Sequence, residues 1–292
     1  MGYEETTVEA EPVTDWVNDW DWLDPSWGTD AIDIWNAVRE VTPMAMTERY
    51  GRAFMPVTME AVSAIAKDTE NFSSEWVSVA QPDAVRRPAP PITSNPPDHQ
   101  AHRRLLLPSF APKQIEPMED ELRKYTRGLI AKLDGRDRAD AAAEYSQHIP
   151  VHGIAQMIGV PDDDADIFRD WIYRNFQLAP RDNRIREQVT ADMRAYFLEL
   201  MEDRQANPRD DLATMVVNAE IDGEPIDMEL KYGYLLLLIL AGIDTTWSAI
   251  GSGLWHLATH PDDLERLRDK PFDDMIWLTF SEEVLRYYAP VT

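Results

Sequence analysis

Residues 232–261 read YGYLLLLILAGIDTTWSAIGSGLWHLATHP, and this stretch decides the fold. It predicts one long α-helix whose first three turns are apolar on nearly every side, and a helix that is apolar all round is a buried one. The run Leu235–Leu240 carries no charge, but the apolar character lasts about three turns, which is short of the ~20 residues that cross a bilayer. We therefore predict a core helix and no membrane span.

A polar interruption falls in the middle of this helix, where residues 241–246 read AGIDTT. Gly, Asp and Thr each cost roughly 0.5–1 kcal/mol of helix propensity relative to Ala, and a carboxylate at core depth adds a cost unless it is paired or hydrated. Several such violations together are expected at functional sites. The alternative is a kinked core helix whose Thr hydroxyls bond back to the preceding turn, and this stretch alone favours that alternative.

The composition restricts the class of protein. The chain has 292 residues, a formal charge of −25 and 44% hydrophobic residues, which fits a folded globular protein. The acidic balance argues against nucleic-acid binding and against an anionic membrane surface. No signal or transit peptide pattern is visible at the N-terminus, so we expect a cytoplasmic protein. The chain has no cysteine, which excludes a disulfide framework, a thiol nucleophile and a cysteine-ligated metal within these residues.

The rest of the pattern predicts a mainly α protein with a minor β-sheet. Residues 1–28 form an irregular acidic, Trp-rich arm whose indoles dock on the body, with a partner-binding arm as the alternative, and residues 29–292 form one domain. The β component is a hairpin of Met44–Thr47 and Arg52–Val57. Shorter helices are predicted at Asp30–Val38, Met59–Asp68, Lys113–Leu133, Ala141–Ile158, Asp162–Phe176, Arg184–Arg204, Asp211–Ala219, Pro261–Leu267 and Asp273–Tyr288.

A proline-rich loop and a basic helix start come before these longer helices. Residues 72–97 hold several prolines that forbid regular structure, and a loop of this length is usually functional or disordered. Residues 98–104 then read DHQAHRR. His99 and Arg103 are four apart and share one helix face. That face is either simply solvated or a clamp for an anion.

Glu283 and Arg286 are three residues apart on the last predicted helix. As an exposed pair they would contribute about 0.3 kcal/mol. Bulky neighbours such as Phe280 and Val284 allow the alternative that the pair is buried, in which case breaking it would cost several kcal/mol.

Two histidine pairs, His148/His152 and His256/His260, have the i, i+4 spacing of metal ligands. Pro150 is expected to break the helix of the first pair, and neither pair has an acidic base in the His-Glu-x-x-His order. We therefore predict no metal bound by these side chains.

Taken in order, these motifs resemble those of the cytochrome P450 family, the haem-thiolate monooxygenases. The likeness rests on NPPDH at 95–99 with Arg103, on AGIDTT in a long helix and on Glu-x-x-Arg at 283–286. It spans about residue 28 to the end and implies a soluble bacterial P450-like fold. The family's Phe-x-x-Gly loop with its ligand cysteine would follow Thr292, so the resemblance implies a fragment, the N-terminal two-thirds of a member.

The resemblance also implies roles for the central helix. Thr245 would hydrogen-bond the oxygen held at the haem iron, and Asp244 would relay protons from solvent to it, because an acid exchanges protons that an alcohol orients. Ala241 and Gly242 would contact the haem face, where the missing Cβ of glycine allows close approach.

The resemblance implies a cofactor, haem b, and residues that hold it. His99 and Arg103 would pair with the haem propionates through charge-assisted hydrogen bonds. Glu283 and Arg286 would brace the loop that carries the cysteine thiolate, whose electron push favours O–O cleavage. No residue of this chain is expected to ligate the iron.

The implied reaction is hydroxylation of an apolar organic substrate by O₂, with electrons from NAD(P)H through a separate ferredoxin or flavodoxin and its reductase. Without the cysteine the chain is expected to be inactive by itself. The alternatives are a catalytically inactive helical protein that binds an apolar ligand or a partner, and a fragment that misfolds. By resemblance, the substrate pocket is lined by Ile92, Phe176, Ala241, Val291 and Thr292.

Overall fold

The computed structural model describes residues 12–76, 79, 87–270 and 274–290. Within them the chain is mainly helical, with two small antiparallel hairpins. The strands are β1 (Met44–Thr47), β2 (Ala53–Pro56), β3 (Glu220–Ile221) and β4 (Glu224–Pro225). The α-helices are α1 (Pro25–Arg39), α2 (Met59–Lys67), α3 (Asp98–Leu106), α4 (Pro112–Ile115), α5 (Glu119–Ala131), α6 (His148–Ile158), α7 (Ala165–Tyr173), α8 (Asn183–Ala206), α9 (Leu212–Val217), α10 (Met228–Thr259), α11 (Pro261–Arg268) and α12 (Asp274–Tyr288).

The long central helix is α10, and the core forms around its first turns. Four consecutive residues, Tyr232 to Leu235, are buried, and because 3.6 residues complete a turn they cover every face of the helix. Helices α6, α7, α8 and α9 pack around α10. The prediction of a core helix is confirmed, but burial on every side holds only for the turn at 232–235, since Leu236, Leu237 and Leu240 are partly buried and Ala241 is exposed.

Among the described helices, α10 is the one whose length and composition would also suit a membrane span. The core helix of a soluble protein passes the same test; here Leu235, Leu238, Ile239 and Ile243 pack into the core, and 22% of the apolar window is buried.

The ends of α10 differ from the predicted ends by one turn or less. The helix begins at Met228, because the Asp227 carboxylate accepts a hydrogen bond from the Leu230 N–H at 2.8 Å and caps it. It ends at Thr259, since Pro261 starts α11.

Local signals placed the β1–β2 hairpin correctly, with Met44 opposite Pro56 and Thr47 opposite Ala53. The Thr58 hydroxyl accepts from the Ala61 N–H at 3.2 Å and caps α2. The predicted start of α1 at Asp30 was wrong, because Asp24 caps the helix by accepting from the Ser26 N–H at 2.8 Å.

Three predicted helices have different internal structures. Pro150 does not break a helix: α6 begins at His148, so the proline occupies the first turn, where its missing N–H costs no hydrogen bond. That prediction was wrong. The predicted helix 113–133 is divided around Pro117 into α4, a 3₁₀ turn and α5. The predicted helices 141–158 and 162–176 contain π-helical turns at Ala142–Ser146 and Arg174–Leu178.

The tryptophan-rich arm contacts the hairpin through the residues that precede α1. Trp20 is fully buried, with its ring centroid 5.6 Å from that of Tyr50. The Arg49 guanidinium bridges Asp19 at 2.6 Å and Asp21 at 3.0 Å. The arm is therefore docked on the β1–β2 turn by both packing and charge; residues 1–11 of the predicted arm lie outside the described residues.

Candidate active site

The polar notch, residues 241–246 of α10, lies where the helix leaves the core. The α-helix continues through it without interruption. Ala241 is exposed, and the Thr245 hydroxyl donates to the Ala241 carbonyl oxygen at 2.7 Å. A Cβ built on Gly242 would lie 3.5 Å from the Ile154 side chain of α6. The notch thus has a packed side at Gly242, and Ala241 and Thr245 lie on a different, more open side.

Asp244 is the acidic group of the notch, and its side chain is half-buried. Burial raises the pKa of the Asp244 carboxyl above its ordinary value, and a hydrogen bond from the Trp247 side chain opposes that shift. No ion pair to Asp244 occurs among the residues that the structure describes. Asp244 therefore keeps its proton to a higher pH than a solvated aspartate does.

The predicted anion clamp, His99 and Arg103, occupies α3. His99 is half-buried and Arg103 is exposed. Although the chain has 53 acidic residues, no carboxylate within the described ranges pairs with Arg103. The guanidinium is thus available to an external anion.

Helix α3 is held against α10 by His102 and Tyr234. The Tyr234 hydroxyl donates to the His102 carbonyl oxygen at 3.3 Å, and the two rings meet edge to face with centroids 6.0 Å apart. On its other side the His102 Nδ1 lies 2.6 Å from the Ser94 Oγ. Tyr234 precedes Ala241 by about two helical turns, or ~10 Å. The clamp on α3 is therefore held against α10, the same helix that carries the notch.

The proline-rich loop reaches α10 at Gly233. A Cβ on Gly233 would lie only 2.2 Å from the Pro88 carbonyl oxygen, so the loop backbone occupies the place of a side chain. The loop is also closed on itself, since the buried Thr93 hydroxyl accepts from the Ala89 N–H at 2.8 Å. The segment 87–97 thereby presents Ile92, whose side chain is 47% exposed.

Phe176 lies in the π-helical turn Arg174–Leu178 that ends α7. Arg174 is buried, and its guanidinium donates to Asp192 at 2.8 Å and to Asp170 at 3.2 Å. Phe176 itself is 39% exposed. A π-turn is a frequent feature of functional sites, and this one is fixed by the ion pairs of the buried Arg174 with two exposed aspartates, while the Phe176 ring stays accessible.

Glu283 and Arg286 form a surface pair on α12. The Arg286 Nε donates to the Glu283 carboxylate at 2.8 Å, and the two side chains are 59% and 67% exposed. The alternative of a buried pair is therefore wrong for this structure. Both residues border a groove of about 370 Å³ between α10, α11 and α12. Val291 and Thr292 lie outside the described residues.

The two histidine pairs are engaged within the protein. His256 contacts the Tyr288 hydroxyl at 3.0 Å through Nδ1 and Asp263 at 3.1 Å through Nε2. His152 contacts Asp162 at 3.0 Å and stacks on Tyr125. Within the described ranges no group of His, Cys, Asp and Glu has the arrangement of a metal site.

Comparison with known proteins gives a consistent result. No family model matches the chain. The chain is 30% identical over 269 residues to the erythromycin C-12 hydroxylase of Saccharopolyspora erythraea, matching 90% of this chain and 66% of that protein. The solved structure of the cytochrome P450 PksS of Bacillus subtilis has a TM-score of 0.80 and 25% identity, covering 93% of this chain and 70% of that one. CYP109Q5 from Chondromyces apiculatus has a TM-score of 0.78 and 26% identity, covering 92% and 68%. The chain belongs to the cytochrome P450 family.

The match is partial in length. The chain spans about half the length of most curated relatives it matches, including 49% of PksS at 29% identity. The fold of this P450 chain is accordingly that of the family, mainly α with a minor β component.

Sequence reasoning missed two residues that fix the segments around the clamp and the notch. His102 and Gly233 belong to no motif that was recognised; His102 contacts Ser94 and, far away in the chain, Tyr234, and Gly233 lies against Pro88. The one signal available was a glycine inside a strongly apolar helix, which suggests close approach of another backbone.

We expect Gly233→Ala to destabilise the protein, although alanine normally favours a helix by ~1 kcal/mol. The new Cβ would overlap the Pro88 carbonyl, and overpacking of this kind costs about 1–3 kcal/mol. Urea unfolding should show the loss, and proteolysis within 87–97 should become faster. Gly253→Ala is the matched control, because its Cβ would meet Phe280 at an ordinary 3.8 Å. A Gly233→Ala protein as stable as that control would contradict the close approach.

We expect Asp244→Asn to raise the free energy of unfolding at pH 7 relative to the native chain. The pKa of Asp244 is raised in the fold, so folding favours its protonated form, and the cost of ionising it appears as the pH rises through the folded pKa. The gain of the variant should vanish below the ordinary aspartate pKa of about 3.9. Urea unfolding midpoints of both proteins at pH 7 and pH 3.5 measure this difference in stability. An Asp244→Asn variant less stable than the native chain at pH 7 would show that the fold stabilises the carboxylate instead.

Proposed function

We propose that this chain is part of a P450 monooxygenase that hydroxylates an apolar organic substrate with O₂. The observation that carries the proposal is that Tyr234 of α10 holds α3, so that the clamp, whose Arg103 pairs with no described carboxylate, and the polar notch are fixed to the same helix. The relatives support it, since one of them is named a hydroxylase of erythromycin. Electrons would come from NAD(P)H through a ferredoxin or flavodoxin and its reductase, in the cytoplasm.

The residues present fit a haem b cofactor. A guanidinium and an imidazole one helical turn apart suit two neighbouring carboxylates, because both donate charge-assisted hydrogen bonds. His99 and Arg103 would therefore hold the propionates. When haem is bound through a cysteine thiolate, its iron supplies the activation of O₂; this chain contributes no cysteine.

The two small residues of the notch, Ala241 and Gly242, have different surroundings. Gly242 faces α6, where an added Cβ would lie at an ordinary contact distance of 3.5 Å from the Ile154 side chain. Ala241 is exposed and has the smallest side chain that such a face can carry without losing helix propensity. We therefore assign the approach to the haem face to Ala241 and to the backbone of the notch.

Asp244 and Thr245 would move protons to the open face of the notch. The Thr245 hydroxyl donates to the Ala241 carbonyl, which leaves the lone pairs of its oxygen free to accept a proton donor. The Asp244 carboxyl has a raised pKa, so it binds a proton more readily than a solvated aspartate and releases it to the neighbouring hydroxyl or to a water. General acid catalysis is most efficient when the pKa lies near the working pH.

The substrate would lie against apolar groups from separate segments. Ile92 comes from the proline-rich loop, Phe176 from the π-turn and Ala241 from the notch, and all three are exposed. Val291 and Thr292 would complete this lining. Glu283 and Arg286, an exposed pair beside a groove, would brace the segment that brings the cysteine.

Haem binding by the 292-residue chain tests the proposal. Titration with haem, followed by its absorbance, should give one saturable site. Arg103→Gln should lower the affinity for haem about tenfold or more. A hydrogen bond to a charged group contributes about 1.5–3 kcal/mol, and 1.4 kcal/mol corresponds to a tenfold change in affinity.

Arg104→Gln is the control, because Arg104 is also exposed and is one residue away. If the native chain, Arg103→Gln and Arg104→Gln all bound haem with equal affinity, the proposed clamp would be contradicted. Saturable binding of an apolar ligand without haem binding would favour a non-catalytic ligand-binding protein instead.

The notch is tested by Thr245→Ala in a form extended by the cysteine-bearing segment of a P450 relative. We expect product per NAD(P)H to fall roughly tenfold or more, because positioned proton transfer contributes about 10²–10⁴-fold, while H₂O₂ release rises. Thr246→Ala, at the exposed neighbouring residue, should keep the native ratio. An unchanged product yield without extra peroxide in Thr245→Ala would remove Thr245 from the mechanism.

A further inference from the structure

His102 lies within the clamp segment but does not share its face. It is three residues after His99 and one before Arg103, so its side chain leaves α3 roughly 60–100° round the helix from theirs. The imidazole therefore turns away from an anion held by the clamp and towards the body of the protein.

The imidazole is inserted between two segments that are distant in sequence. Its Nδ1 lies 2.6 Å from the Ser94 Oγ of the proline-rich loop, and its ring and that of Tyr234 meet edge to face with centroids 6.0 Å apart. The Tyr234 hydroxyl bonds the backbone carbonyl of the same residue. One residue thus joins the loop, α3 and α10.

The surroundings of the ring favour its neutral form. Burial lowers the pKa of His102, the Asp98 carboxylate raises it, and His99 lowers it further. The other segments in contact present the hydroxyl of Ser94 and the ring of Tyr234, neither of which is charged at neutral pH. His102 therefore acts as a neutral hydrogen-bonding wedge.

His102 lies on α3 between the two clamp residues, His99 and Arg103. The far end of α3 is anchored by the buried Leu106, whereas Arg103 is exposed and no described carboxylate pairs with it. A shift of α3 at His102 would carry the clamp residues on either side of it. We infer that His102 is a positioning residue for the haem-propionate clamp, setting the distance of His99 and Arg103 from α10; this inference rests on the proposed function.

The test is haem titration of the 292-residue chain carrying His102→Leu. Leucine keeps an apolar side chain in place, and the backbone carbonyl that Tyr234 bonds remains, so the change removes the Ser94 bond and the ring contact. We expect affinity for haem to fall about tenfold. His102→Asn, whose amide can reach the Ser94 hydroxyl from the position of Nδ1, should recover part of the affinity.

A double-mutant comparison separates positioning from general weakening of the fold. If His102 acts through the clamp, His102→Leu should cost clearly less affinity in an Arg103→Gln background than in the native chain, because one of the two groups it positions is already gone. An equal loss in both backgrounds would overturn the inference. Arg104→Gln should have no effect in either background.

Hydrogen exchange of the haem-free chain gives a second readout. Exchange of amides in 98–106 should become faster in His102→Leu and stay unchanged in Arg104→Gln. If the leucine variant fails to fold, His102→Asn and Tyr234→Phe carry the same comparison.

The two proposals fail in different ways. A native chain that binds no haem would overturn the proposed function and this inference with it. If the native chain binds haem and Arg103→Gln weakens binding, unchanged affinity in the His102 variants would overturn the inference alone.

Discussion

The absence of a side chain at Gly233 is the constraint on which the arrangement of the site depends. The Pro88 carbonyl occupies the position of a Cβ, so the proline-rich loop lies directly on the buried turns of α10. The next residue, Tyr234, holds α3 through the His102 carbonyl. Two consecutive positions of one helix therefore fix both the loop and the clamp, and because those turns are buried on all sides, neither can shift without disturbing the core.

The charge distribution explains why this protein tolerates Arg103, an arginine that pairs with no carboxylate among the described residues. An exposed ion pair contributes about 0–1 kcal/mol, so leaving Arg103 without a carboxylate costs little stability. With a net charge of −25, the protein repels anions in general, and it is a local group of donors that must attract one. The isolation of the clamp from its many possible partners is thus the property that an anion site needs, whereas Glu283 and Arg286 have satisfied each other.

The sequence revealed those features that depend on neighbouring residues. The apolar run of α10, the β1–β2 hairpin and the Thr58 cap each follow from local pattern, and they were predicted correctly. Pro150 was misjudged because its effect depends on where the helix begins. Other features depend on segments that are remote in sequence, and spacing alone cannot place those segments. They are the exposure of the Glu283–Arg286 pair, the approach of the loop to Gly233 and the contacts of His102.

The notch shows why residues that disfavour a helix can persist in one. At Gly242 the space beside Ile154 would accept a Cβ at an ordinary 3.5 Å, so packing against α6 does not by itself require a glycine there. Thr245 satisfies its hydroxyl on the Ala241 carbonyl, as a Thr in any helix can, so its presence is not explained by strain. Asp244 is only partly compensated among the described residues: a hydrogen bond from the Trp247 side chain stabilises its carboxylate, but it has no ion pair and its half-burial keeps its pKa raised. A core position that bears this cost needs a reason outside folding, and proton transfer at the open side of α10 supplies one.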